Sequence, residues 1–122
     1  MKKVLVVDDS QSIRNEISNA LGQAGGFTVV EAADGSEAFL RLAEHSNICL
    51  VVLDVNMPGM NGVEVLEKLR TDYAARNLPV LMLTTEAERT LIERAKKAGA
   101  KGWLLKPIKP NLLVSTVTRL AL

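Results

Sequence analysis

The sequence predicts a three-layer α/β domain, a parallel sheet of five strands covered on both faces by five helices. Two observations carry this. Five short apolar runs alternate with five amphipathic stretches along the whole chain. The runs are also apolar on both parities, as strands buried on both faces must be. With 122 residues, 48% of them hydrophobic, the chain has enough material for one domain spanning 1–122 with a real core.

The elements follow in order. Val4-Leu5-Val6-Val7 is the first strand run, and Ile13, Ile17, Ala20 and Leu21 then fall on one helical face. Thr28-Val29-Val30 is the second run, followed by a helix marked by Phe39, Leu42 and Ala43. Ile48 to Leu53 is the third, and Val65, Leu66 and Leu69 mark the helix after it. Val80-Leu81-Met82-Leu83 is the fourth, with Leu91, Ile92, Ala95 and Ala98 beyond. Trp103-Leu104-Leu105 is the last, and Leu113, Val117, Leu120 and Ala121 close the chain as a helix. Asn61 with Glu64, and Thr85 with Glu88, have capping-box spacing. Gly99 is placed to end the fourth helix, and Pro110 to occupy the first turn of the fifth.

Composition excludes several classes of function. Net charge is +1, which gives no general attraction to nucleic acid or to a membrane surface. No apolar run approaches the roughly 20 residues of a membrane span. The single Cys49 and single His45 exclude an internal disulfide, a cysteine-rich zinc site and a His-pair metal site, and suit a reducing cytoplasm. Residues 1–61 hold 4 basic and 8 acidic side chains, against 11 and 6 in residues 62–122. That split reads either as two surfaces with different partners or as scatter over solvated helix faces.

In an open parallel sheet, ligands sit beyond the carboxyl ends of the strands. The first strand ends in Asp8-Asp9 and the third in Asp54. One such Asp reads equally well as a helix cap, and either Asp9 or Ser10 suits the first helix. Three on strands expected to be neighbours repel one another unless a cation or proton neutralises them. With oxygen donors alone, the cation they suit is Mg²⁺. The fourth strand ends in Thr84-Thr85, and Lys106-Pro107 follows the fifth. A hydroxyl and an ammonium beside the carboxylates complete a phosphate-handling set. The chain has no Gly-x-Ser-x-Gly, no Gly-rich phosphate loop and no His–Cys pair. A carboxylate can itself accept a phosphoryl group, and Asp54, apart from the Asp8-Asp9 pair, is the best placed to face both the metal and Lys106.

Val6-Val7-Asp8-Asp9-Ser10, Leu53 to Gly62 (LDVNMPGMNG), Leu83-Thr84-Thr85-Glu86-Ala87 and Leu105-Lys106-Pro107 together resemble the receiver domain of two-component response regulators, over essentially the whole chain. Within that family the chain is most similar to the CheY-type chemotaxis receivers. The resemblance implies a flavodoxin-like (βα)5 fold with strand order 2-1-3-4-5. It implies phosphorylation of Asp54 by a sensor histidine kinase, and Mg²⁺ held by Asp8 through water, by Asp9, by Asp54 and by the Asn56 backbone carbonyl. Thr84 and Lys106 would contact the phosphoryl group, and the side chains of Asn56 and Glu86 would tune its hydrolysis. Output would pass to a target protein, with no direct contact to nucleic acid and no membrane insertion.

Trp103 stands at the family's aromatic switch position, where Tyr or Phe is commoner. Its larger ring and donor-only N–H argue for an outward position, as part of a fixed docking surface or packed at a sheet edge. The fourth helix and fifth strand are expected to present Arg94, Lys97 and Lys101 beside Trp103 to an acidic partner segment. Met57 and Met60 flank a turn beside Asp54, as loop packing or as a kinase contact. Cys49 reads as inert core, and His45 as a residue at a helix end. The reading is a stand-alone, phosphorylation-switched signalling domain rather than a conventional enzyme. Its rivals are a receiver excised from a transcription factor and, more distantly, an aspartate-nucleophile phosphatase.

Overall fold

Strand β1 (Lys2–Val7) is the hinge of the topology, pairing in parallel with both β2 (Phe27–Ala32) and β3 (Ile48–Asp54). Beyond β3 lie β4 (Val80–Thr84) and β5 (Gly102–Leu105), giving the order β2-β1-β3-β4-β5. The chain was described through a computed structural model, which covers residues 1–72, 75, 77–85 and 89–121.

Helices α1 (Gln11–Ala24) and α5 (Pro110–Leu120) cover one face; α2 (Gly35–Glu44), α3 (Gly62–Thr71) and α4 (Arg89–Lys97) cover the other. The strands serve both faces by alternation. Val4, Val6, Leu50, Val52, Leu81 and Leu83 pack with Ile17 and Leu21 of α1 and Leu113 and Val117 of α5. Leu5, Val7, Val51, Leu53 and Met82 pack with Val65, Leu66 and Leu69 of α3 and Ala95 of α4. A fully buried aliphatic side chain contributes about 1.5–3 kcal/mol. Since both parities of β1 are apolar, alternation alone does not set its register. Its polar ends do: Lys2-Lys3 stay partly in solvent, and Asp8 falls just past the last apolar residue.

Burial on both faces holds for β1, β3 and β4 but not for the outer strands. In β2 only Ala32 is buried, and in β5 only Leu104, because each is an edge that the helices overhang incompletely. The predicted α2 face also shifts, with Gly35 and Ala38 buried and Ala43 exposed.

Local signals set the helix ends. Ser10, not Asp9, caps α1, its hydroxyl accepting from the Ile13 N–H at 3.3 Å. Asn61 and Glu64 form a reciprocal capping box at α3. The Thr85–Glu88 pairing involves a residue outside those described. Pro110 opens α5. Beyond α4, Gly99 takes φ +83°, its N–H bonded to the Lys96 carbonyl and that of Ala100 to the Ala95 carbonyl. These are the two bonds of a Schellman motif. Among the described residues no helix is long and apolar enough to cross a membrane.

Candidate functional site

Parallel strands bring their carboxyl ends to one edge, so Asp8, Asp54, Thr84 and Lys106 arrive there from four consecutive strands of the sheet. Asp8 and Asp54 are fully buried, Thr84 is nearly so, and Asp9 is exposed. The three aspartates each offer a carboxylate oxygen, all within 4.8 Å of one another. Lys106 Nζ lies 3.0 Å from Asp8 Oδ2 and 3.1 Å from Asp54 Oδ1. Backbone N–H groups hold the same carboxylates: Ser10 donates to Asp8 Oδ1 at 2.9 Å, and Asn56 to Asp54 Oδ1 at 3.2 Å. The Lys106–Pro107 peptide is cis, and the Lys106 N–H donates to the Thr84 carbonyl at 2.8 Å.

This division leaves Asp54 Oδ2 buried with no hydrogen-bond partner among the described residues. A buried polar atom without a partner is costly, and so marks a place where something else belongs. The electrostatics agree. Burial pushes the Asp54 carboxyl up to about 6 from an ordinary 3.8; the Lys106 bond opposes the rise and the Asp8 charge adds to it. Burial pulls the Lys106 ammonium down, but its bonds to Asp8 and Asp54 outweigh that and set it above the usual lysine value. One ammonium against three carboxylates leaves an excess of negative charge. Hard oxygen donors, an unpartnered buried oxygen and that excess fit Mg²⁺. Asp9 is free for it, since Ser10 does the capping.

The backbone beneath the acceptor is tightly packed. Gly62, first residue of α3, donates its N–H to the Val55 carbonyl at 2.9 Å, and a Cβ there would collide with the Asp54 carbonyl oxygen. Asn56 is exposed, and its side-chain amide donates to Thr85 Oγ1 at 3.1 Å, tying the loop after β3 to the loop after β4. Glu86 lies outside the described residues. Between this bridge and α4 is a cavity of about 450 Å³, lined by Asn56, Thr84, Thr85, Leu91, Ala95 and Trp103 among others.

The basic face is rearranged relative to expectation. Trp103 is half-buried on β5, and the side chain over its ring is that of Lys96, with Nζ 5.3 Å from the ring centre. Arg94 does not stand beside Trp103. It turns to α3 and pairs with Glu67, Nη2 to Oε1 at 2.6 Å. The reason is helical phase, for two residues separate 94 from 96 by about 200° around the axis. Lys97 and Lys101 are exposed, as is Leu105, two residues beyond Trp103 on the same strand.

Other singled-out residues sit away from the aspartates or only pack near them. His45 is the C-cap of α2, with Nδ1 3.2 Å from Lys3 Nζ. Cys49 is partly buried, its thiol donating to the Lys3 carbonyl at 3.3 Å. Met57 is buried as loop packing and Met60 is exposed. Sequence reasoning missed Arg14 of α1, whose Nη1 donates to the Asp8 carbonyl at 2.7 Å. An arginine in the first turn of an amphipathic helix gives no signal that it turns back to the strand end.

A family model for the response regulator receiver domain matches residues 4–118. The chain belongs to that family. Among relatives of this receiver domain, the chemotaxis protein CheY1 of Helicobacter pylori is 38% identical over 111 residues, covering 91% of this chain and 90% of that protein. The chemotaxis protein CheY of Pseudomonas aeruginosa is 38% identical over 118 residues, covering 97% and 94%. The solved structure of chemotaxis protein CheY4 of Vibrio cholerae superposes with a TM-score of 0.91 at 42% identity, covering 98% of each chain. The five-stranded order and the flanking helices are those of the flavodoxin-like receiver fold. The domain is a CheY-type signalling module and not a conventional enzyme.

Proposed function

We propose that this receiver domain accepts a phosphoryl group on Asp54 from a sensor histidine kinase, with Mg²⁺ bound at the aspartate cluster, and later loses it by hydrolysis. The observation that carries the reading is Asp54 Oδ2, the buried oxygen left without a partner while Oδ1 is held by Asn56 N–H and Lys106. That oxygen attacks phosphorus and forms the acyl phosphate. The P–N bond to the donor imidazole breaks as it does so; its electron pair stays on that ring nitrogen, and the proton already on the other ring nitrogen makes the leaving imidazole neutral. Asp8, Asp9, Asp54 and the Asn56 carbonyl would hold the cation, whose bound charge offsets that of the phosphoryl oxygens. Lys106 and Thr84 stabilise the same oxygens from the β4–β5 side. Asn56 and Glu86 are the side chains that tune hydrolysis.

The output is carried by protein contact, in a chemotaxis-type role that the names of the relatives support. The target docks an acidic segment on the face formed by Lys96, Lys97 and Lys101 around Trp103. The domain works in the cytoplasm, a placement that its one partly buried thiol suits. The test is incubation with a small phosphodonor and Mg²⁺, followed by intact-mass measurement. One labile phosphoryl group is expected, with most of it lost in Asp54→Asn and in EDTA. Equal labelling of Asp54→Asn would refute the acceptor assignment.

A further inference from the structure

Arg14 belongs to the first turn of α1, yet its side chain turns away from that helix. Its Nη1 donates to the main-chain carbonyl of Asp8 at 2.7 Å, and its Nε donates to Glu31 Oε1 of β2 at 3.0 Å. The guanidinium side chain is 15% exposed, against 40% for Glu31. Glu31 is itself tethered, since its main-chain carbonyl accepts from Arg41 Nε of α2 at 3.1 Å. On the other side of Asp8, the backbone N–H donates to the Ala32 carbonyl at 3.1 Å. Both peptide groups of Asp8 are therefore fixed, one by the sheet and one by Arg14.

The second of these peptides leads into Asp9. Asp9 is exposed, and among the described residues its carboxylate receives no hydrogen bond from the protein. Ser10 has taken the capping role, so nothing in its own side-chain contacts aims Asp9 at the site. What remains to orient it is the plane of the Asp8–Asp9 peptide, and Arg14 holds the carbonyl of that plane. From this we infer that Arg14, braced by Glu31, is a positioning residue for the metal ligand Asp9. The inference rests on the Mg²⁺ reading of the aspartate cluster.

A partly exposed ion pair by itself adds little to stability. The geometry here is different in kind, because one planar fork serves an acceptor just beyond β1 and another on β2, which a lysine ammonium cannot do as rigidly. The Glu31 charge offsets that of Arg14, so the pair puts little net field on the site. Its effect is geometric, and groups that orient metal ligands are worth tenfold or more in affinity.

The double variant Arg14→Met/Glu31→Gln removes both charges and leaves the net charge unchanged. Calorimetric titration with Mg²⁺ alone is expected to show a Kd about tenfold weaker than wild type. Arg14→Lys, which keeps the charge and reaches one acceptor, is expected to fall between the two, and it decides the matter if the double variant does not fold. Melting in EDTA serves as the structural control. A lowered melting temperature with Mg²⁺ affinity within twofold of wild type would overturn the positioning role. Wild-type protein that binds no Mg²⁺ at all would overturn the metal reading first, and this inference with it.

Discussion

Lys106 Nζ stands 3.1 Å from Asp54 Oδ1 and leaves Oδ2 of the same carboxylate buried and unbonded among the described residues. The two oxygens are thereby made chemically unequal. One is neutralised and anchored, the other is held ready as an acceptor. The ammonium also meets Asp8 Oδ2 at 3.0 Å, so a single cation just beyond β5 restrains carboxylates at the ends of β1 and β3. Removing that ammonium is the costly change, because it leaves two buried carboxylates without compensation, whereas loss of the Asp54 charge leaves Lys106 still paired with Asp8.

The raised Asp54 carboxyl gives stability a pH dependence in the metal-free protein. With a folded value of about 6 against 3.8, the native state favours the protonated form. The stabilisation is fully present below pH 3.8 and is lost as pH rises through about 6. Asp54→Asn removes the loss. In EDTA the variant should gain on the order of 2 kcal/mol over wild type at pH 7, and much less at pH 4. Urea denaturation at the two pH values measures it, and an equal gain at both would contradict the burial argument.

Asp9 adds a third, exposed charge to the cluster. Asp9→Asn lowers repulsion without removing a helix cap, so thermal stability in EDTA should rise, by less than about 1 kcal/mol given its exposure. Mg²⁺ affinity should fall in the same variant. Destabilisation in EDTA would mean that Asp9 carries a structural bond the geometry assigns to Ser10.

Gly62 couples the acceptor to α3. A methyl group there meets the Asp54 carbonyl and the Val55 backbone, neither of which yields easily. Gly62→Ala should cost about 1–3 kcal/mol and also slow phosphodonor labelling, since the backbone carrying Asp54 must shift. Gly22, in α1 with open space around it, is the control: Gly22→Ala should stabilise by about 0.5–1 kcal/mol with labelling unchanged.

The strand ends were legible in sequence because each polar residue directly follows an apolar run, and a parallel sheet has to place such ends together. The outer strands were less so. Thr28-Val29-Val30 looks as apolar as a central run, and its edge position follows from the strand order, not from its composition. The choice between Asp9 and Ser10 as cap depended on backbone geometry, because either side chain satisfies the rule. Arg94 and Lys96 flank the same buried Ala95, and which of them faces Trp103 depends on the side of α4 on which α3 packs.

Trp103 is the only tryptophan and thus a reporter of its own surroundings. Its ring borders a cavity of about 450 Å³ that also touches Thr84, so space alone does not keep it out. Two other effects do. Lys96 lies over the ring, an interaction worth about 0.5–1 kcal/mol at an exposed site. The indole N–H also gives up solvent on turning inward and needs an acceptor there, or costs about 1–3 kcal/mol. Together these favour an outward indole in both states, with its emission changing only modestly when phosphodonor and Mg²⁺ are added. Lys96→Ala removes the first restraint and should enlarge the change, while acrylamide continues to quench the wild type after activation. Complete loss of quenching on activation, or an activated crystal structure with the indole packed against Thr84, would show that the ring switches inward despite both.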